Sequence, residues 1–252
     1  MNLDISDILS QWPYKPGEMT ARRIVGADGQ DKIQLRLDLG ILQMETSGRP
    51  DGEQPHGHES LLAYHEYLLQ KHIEKSGVDE GFVLDEATCE ALRGEGVMYY
   101  HRYLAEFVLG DYERVDRDTM RNLRLMDFCR KYAEIESDKY VLEQYRAYVT
   151  MMQTRARAQL AMDQDRLEDA LNATKKGIAD IEAFFDAIGG DKVRDRSGEL
   201  AVLRAMEKSI ESRMPSDPVQ DLRDQLAEAV EAEEYEAAAE LRDLLRAMTG
   251  ED

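Results

Sequence analysis

Hydrophobic positions change their spacing along the chain, and each change marks a different kind of element. Ile33, Leu35, Leu37, Leu39 and Ile41 alternate with Gln34, Arg36, Asp38 and Gly40, the period-two pattern of a strand with one buried face. Arg22-Arg23-Ile24-Val25 stands before it, separated by Gly26-Ala27-Asp28-Gly29. Asp-Gly is a hairpin turn signal because both central positions tolerate positive φ. At Gly40–Ile41 the parity flips, and Leu42, Met44 and Thr46 continue on even numbers, so a β-bulge or a break between strands is expected there. The pattern predicts a two- or three-stranded antiparallel sheet whose apolar face the following helices must cover. Ahead of it, Leu3 to Leu9 read as a short helix capped by Asp4 or Ser6 and ended by Trp12, Pro13, Tyr14 and Pro16, with Trp12 as a packing anchor.

From Ser60 the period becomes helical, with Leu61, Leu62, His65, Leu68, Leu69 and His72 on one face. A linker spans Ser76 to Phe82. Asp85 then opens a long helix whose apolar side comprises Thr88, Leu92, Val97, Tyr100, Tyr103, Leu104, Phe107 and Val108; Gly94 and Gly96 are placed to split it. It ends at Gly110-Asp111-Tyr112. Further helices are predicted over Asp118 to Ala133, Val141 to Ala161, Arg166 to Ile188 and Asp191 to Met214. No proline falls between Pro55 and Pro215 to interrupt them. Leu104 to Val115 and Ala158 to Ala170 both resemble the centre of a tetratricopeptide repeat, a helix–turn–helix; their turns are 55 residues apart rather than that family's ~34. The expected fold is therefore mainly α: an N-terminal antiparallel β-hairpin packed on a TPR-like helical array or plain bundle, then an antiparallel helical hairpin. The expected divisions are 1–59 (β region and loop), 60–214 (helical body) and 218–248 (hairpin), with Pro215-Ser216-Asp217-Pro218 as linker.

Charge narrows the function classes. A formal charge of -20 repels phosphate backbones, so direct nucleic-acid binding is not expected. No apolar run reaches the ~18 residues a membrane span needs, and the N-terminus lacks the basic region of a signal peptide. Cys89 and Cys129 lie far apart without a Cys-x-x-Cys pair, which excludes a zinc finger and reads as buried free thiols in a reducing, cytoplasmic compartment.

No catalytic motif, metal set or cofactor signature is present, and a non-enzymatic role is the expectation. The loop Ser47 to Glu59 holds Arg49, Asp51, His56 and His58, a candidate secondary site that with Arg36 would suit a small enzyme or ligand-binding protein. His58, His65 and His72 recur every seven residues, but that spacing puts helical side chains ~10.5 Å apart along the axis, too far to share one metal.

The most informative stretch is Pro218 to Met248. Leu222, Leu226, Ala229 and Val230 form one apolar stripe; Tyr235, Ala238, Ala239, Leu241, Leu245 and Met248 form a second after Glu233-Glu234. Two short helices so patterned pack antiparallel and keep residual apolar surface for docking. Leu222-x3-Leu226-x2-Ala229 followed by Glu234-Tyr235-Glu236-x-Ala238-Ala239-x-Leu241-Arg242-Asp243-x-Leu245 resembles the UVR motif of UvrB, UvrC and McsA-type bacterial regulators. The resemblance implies a hairpin that binds another UVR-containing protein, a different protein partner or its own copy. Leu222, Leu226, Tyr235, Leu241, Arg242, Asp243 and Leu245 would be the binding residues, with Tyr235 and Leu241 packing the hairpin and Arg242 and Asp243 making polar contacts at the pair. The phosphate loop of UvrB, the nuclease sequence of UvrC and the cysteine pairs of McsA are absent. An adaptor role is therefore the main expectation, and an accessory role in nucleotide-excision repair through UvrB or UvrC is the narrower one.

Overall fold

The alternating stretch forms a three-stranded antiparallel sheet in the order β1 (Thr20–Val25), β2 (Asp31–Arg36), β3 (Ile41–Glu45). The parity flip is a break between strands: β2 ends at Arg36, and Leu37 N donates to Gly40 O at 2.9 Å to close the turn. Leu37 and Leu39 thus leave the strand and stand exposed, where alternation placed them on the buried face. Ile33, Leu35 and Met44 pack against Ala105. The opposite face of the sheet carries a polar row in register, where Arg22 Nε donates to Gln34 Oε1 at 2.8 Å and Gln34 Nε2 to Gln43 Oε1 at 2.9 Å. Trp12 lies under the Arg22 guanidinium, 4.3 Å from ring centroid to Cζ, which makes it the anchor its position suggests. The computed structural model describes residues 4–214 and 218–249.

The helices follow their caps. After α1 (Ser6–Ser10), Ser60 Oγ accepts from Ala63 N at the start of α2 (Leu61–Ser76), and Gly77 at φ 83° ends it. Asp85 accepts from Thr88 N to start α3 (Glu86–Val108). This helix runs unbroken through Gly94 and Gly96. Gly96 serves close packing instead: a Cβ there would come 2.9 Å from Leu125 Cδ2, and Asn122 Nδ2 donates to its carbonyl at 3.0 Å. α4 (Tyr112–Tyr132) starts before Asp118, because Asp111 caps it. Where one helix was expected from Val141, α5 (Glu136–Tyr140) and a 3-10 turn (Glu143–Tyr145) precede α6 (Arg146–Met162). α7 (Leu167–Ala187) matches its expected span closely. The helix expected over Asp191 to Met214 is two, α8 (Asp191–Arg194) and α9 (Gly198–Glu211). Ser197 Oγ accepts from Leu200 N at 3.2 Å and starts the second.

The chain divides into Met1–Lys208 and Ser209–Asp252. In the first unit α3, α4, α6 and α7 pack in succession, and α3 also covers β1 and β2. One core gathers Tyr103, Leu104, Val115, Met152, Ile181 and Leu203; another gathers Leu62, Leu92, Leu125, Phe128, Cys89 and Cys129. In the second unit α10 (Pro218–Glu231) and α11 (Tyr235–Thr249) form a helical hairpin. The expected linker residues Pro215, Ser216 and Asp217 lie outside the described residues.

Among the described residues several helix–turn–helix corners close the same way, three of them as follows. Asp111 N donates to Glu106 O, Arg166 N to Ala161 O, and Glu234 N to Ala229 O, at 2.8 to 2.9 Å. Each is the 6→1 bond of a Schellman ending, with a left-handed residue in between: Gly110, Asp165 and Glu233 at φ 73°, 56° and 58°. The first two corners are the two stretches whose sequences are alike.

Candidate functional site

The hairpin is held by small residues. Ala229 and Ala238 are buried near the turn, where the absence of bulk lets the two helices approach. Leu222 and Leu226 on α10, and Leu241 and Leu245 on α11, are half-buried. Glu236 in the first turn of α11 and Arg246 in the last complement the helix dipole. Tyr235 does not pack the hairpin as the motif implied. It is 68 % exposed, because it occupies the first position of α11, outside the stripe that runs through Ala238, Leu241 and Leu245. Arg242 donates from Nε and Nη2 to Asp243 Oδ1 at 3.1 and 2.9 Å, and both side chains are exposed. Such a pair contributes at most about 1 kcal/mol on its own and is available to a partner. Beside the packed stripe, Leu244 and Met248 share a face one turn apart and are each half exposed; Val230 is exposed on α10. The hairpin therefore retains apolar surface after folding, which favours burial against a further helical surface.

The first unit holds a different concentration of chemistry, one that no motif in the sequence marks. Glu95, Tyr99, Arg102 and Glu106 recur at i, i+4, i+7 and i+11 on α3 and are all buried. They face Arg117, Asp118, Arg121 and Asn122 of α4. Arg102 grips Asp118 through two bonds, Nε to Oδ2 at 2.6 Å and Nη2 to Oδ1 at 2.9 Å. Its Nη1 reaches up to the Glu45 and Gly48 carbonyls at 3.1 and 2.8 Å, and Arg117 Nη1 reaches Thr46 O at 3.2 Å. Glu95 pairs with Arg121 and accepts from Leu61 N and Leu62 N at 2.7 and 3.2 Å. The Tyr99 ring lies near both the Arg102 and Arg121 guanidiniums, at 4.8 and 4.1 Å. Glu106 is pushed up to about 8 by burial and by Asp118, against the pull of Arg102 and Arg117. Its Oε2 has no partner among the described residues.

The residues of the Ser47 to Glu59 loop fall into two groups. Arg49 pairs with Asp51 at 2.9 Å and stands 3.8 Å from Glu95 Oε1, which joins it to the buried network. His56 stacks on Tyr64 at 4.1 Å between centroids, and His58 sits against Tyr64 and Tyr67 at 5.4 and 5.0 Å. Arg36 goes elsewhere: its Nε donates to Trp12 O at 2.7 Å and its Nη1 to Leu37 O and Gly40 O. His72 bonds Glu80 O at 2.9 Å. Burial lowers His65, with His56 adding to the effect and Asp85 and Glu95 opposing it. Among the described residues no group of three or more His, Cys, Asp or Glu is placed to hold a metal ion, and no helix is long and apolar enough to cross a membrane.

The family model described as the UvrB/uvrC motif matches residues 217–248, the span of the hairpin. No curated protein and no solved structure matches the chain.

Proposed function

We propose that this chain is a non-enzymatic interaction protein whose α10–α11 hairpin docks on a helical hairpin of a partner or of a second copy. The motif match over 217–248 carries the reading, and the exposed Leu244 and Met248 on one flank of the packed stripe of α11, with Arg242 on its other flank, supply contact surface of both apolar and polar character. Docking would bury the Leu244–Met248 edge. The first unit then acts as the body that the hairpin recruits or is recruited by; its consecutive helix pairs support reading it as a TPR-like array. Buried free thiols at Cys89 and Cys129 support a reducing, cytoplasmic setting, and the -20 charge supports protein rather than nucleic acid as the partner.

The test is association of the full chain with itself, by light scattering across a concentration series, and with purified UVR hairpins of UvrB and UvrC, by calorimetry. One of these associations is expected, and Leu244→Asp with Met248→Asp should abolish it while circular dichroism stays helical. Binding to the UvrB or UvrC hairpin would support the narrower repair-accessory role. Absence of every association, or association indifferent both to the double substitution and to removal of 218–252, would overturn the proposal.

A further inference from the structure

α3 and α6 both pack on α4, and a cavity of about 510 Å³ lies between them. That is within the size range of small-molecule sites. Its walls are mostly apolar and aromatic: Val97 and Tyr100 of α3, Met126 of α4, Tyr145 of the 3-10 turn, and Tyr148 of α6. Tyr100 and Tyr148 meet at 6.3 Å between centroids, and Tyr103 stands edge-on to Tyr100 at 5.5 Å. Val97 is exposed and Tyr100 partly so, which leaves the space accessible from solvent.

Two charged residues line the cavity, and only one is neutralised. Arg93 Nη1 is bound to Asp138 Oδ1 at 2.7 Å. Glu199, in the first turn of α9, accepts from Ser197 Oγ through Oε2 at 2.8 Å, and its Oε1 has no partner among the described residues. Ser197 is the cap of α9, so part of Glu199's role is to favour that helix start. A cap needs no tyrosine-walled cavity beside it, however. Burial pushes Tyr148 up and Tyr100 adds to the effect; Arg155 opposes it, and the Glu199 carboxylate makes a smaller contribution upward, which fits a carboxylate close to the ring.

We propose that this cavity binds a small alkylammonium ion, its apolar chain among Val97, Met126 and the tyrosines and its cationic head at Glu199. Aromatic faces attract cations, and a carboxylate at the rim of an apolar cavity strengthens that attraction. A neutral molecule of the same shape would gain only the apolar contacts. An anion would meet an unmatched carboxylate and an arginine already paired.

The experiment titrates the full chain with hexyltrimethylammonium, hexanol and hexanoate, following heat by calorimetry and the Met126 methyl by NMR. Hexyltrimethylammonium should bind and shift Met126, about tenfold more tightly than hexanol, with hexanoate weakest. Glu199→Gln should remove most of that tenfold preference, and Val97→Phe should weaken both ligands by narrowing the mouth. Should Glu199→Gln unfold the chain, Glu199→Asp, which keeps the charge but withdraws it, should give an intermediate loss. The proposal is overturned if hexanol or hexanoate binds as well as the ammonium, if no ligand shifts Met126, or if the folded Glu199 variant keeps the preference.

Discussion

Arg102 and Asp118 lie on different helices, and each is only 1 % exposed in its side chain, yet they meet through a two-point contact at 2.6 and 2.9 Å. Asp118 also accepts from Arg117 Nε at 2.8 Å. Removing one partner of such a pair costs about 3–5 kcal/mol, because the remaining charge is left uncompensated, whereas replacing both with apolar residues is often close to neutral. Asp118→Ala should therefore destabilise the first unit by about that amount in urea denaturation. Arg102→Met with Asp118→Leu should recover part of the loss, but not all of it, since the Glu45 and Gly48 carbonyls lose their donor. A double variant as unstable as the single one would show that the carbonyl contacts, and not the charge pair, dominate.

Glu106 sets a pH dependence. Burial raises its carboxyl from 4.5 to about 8. Below pH 4.5 the proton is held in folded and unfolded chains alike; between 4.5 and about 8 the folded chain holds it and the unfolded chain does not. Stability therefore falls as pH rises through that window and levels off above it. Glu106→Gln, which cannot ionise, should flatten the slope and leave the variant more stable than the natural chain at pH 9, measured as the urea midpoint. An unchanged slope would assign the pH dependence to other groups.

Gly177 on α7 faces Thr154 on α6, and a Cβ at Gly177 would lie 2.7 Å from the Thr154 Cβ and overlap its hydroxyl. Gly177→Ala should cost about 1–3 kcal/mol by overpacking, despite alanine's better helix propensity. Thr154→Ala in the same chain should restore most of it. Thermal melts of the two single variants and the double variant give the coupling directly.

Glu233 holds φ 58° at the hairpin corner, a conformation that disfavours side chains. Glu233→Gly should stabilise the hairpin by about 0.5–1 kcal/mol, glycine's added unfolded-chain entropy offsetting part of the relief. Hydrogen exchange of the Glu234 amide, which closes the corner on Ala229 O at 2.8 Å, should slow. Faster exchange would mean that the glutamate side chain supports the turn.

The sequence made local features legible and hid those that need two distant segments. Ser60 and Asp85 announced the starts of α2 and α3, the change of parity at Gly40 announced β3, and the Leu222 to Leu245 pattern announced the hairpin. These signals lie within a few residues of what they specify. The cap at Ser197 had the same form but was hidden by an apolar pattern that continues on both sides of it. The buried network was the larger omission. The spacing of Glu95, Tyr99, Arg102 and Glu106 is a regular helical stripe, but charges at that period read as a solvated face unless their partners on α4 are known. With the core stripe running through those residues, Val97, Tyr100 and Val108, which periodicity assigned to the apolar side, are left partly exposed. The loop residues Arg49, Asp51, His56 and His58 were legible only as neighbours in sequence; that Arg49 and Asp51 pair while the histidines turn to Tyr64 and Tyr67 depends on how the chain crosses α2.

Cys89 and Cys129 are 0 % and 1 % exposed, and burial pushes the Cys129 thiol up to about 12. They are the chain's two cysteines, and none occurs after residue 208. A thiol reagent can reach them only when the packing of α3 against α4 opens, because its target is the accessible thiolate. The rate of labelling is thus a clock for the opening of that packing.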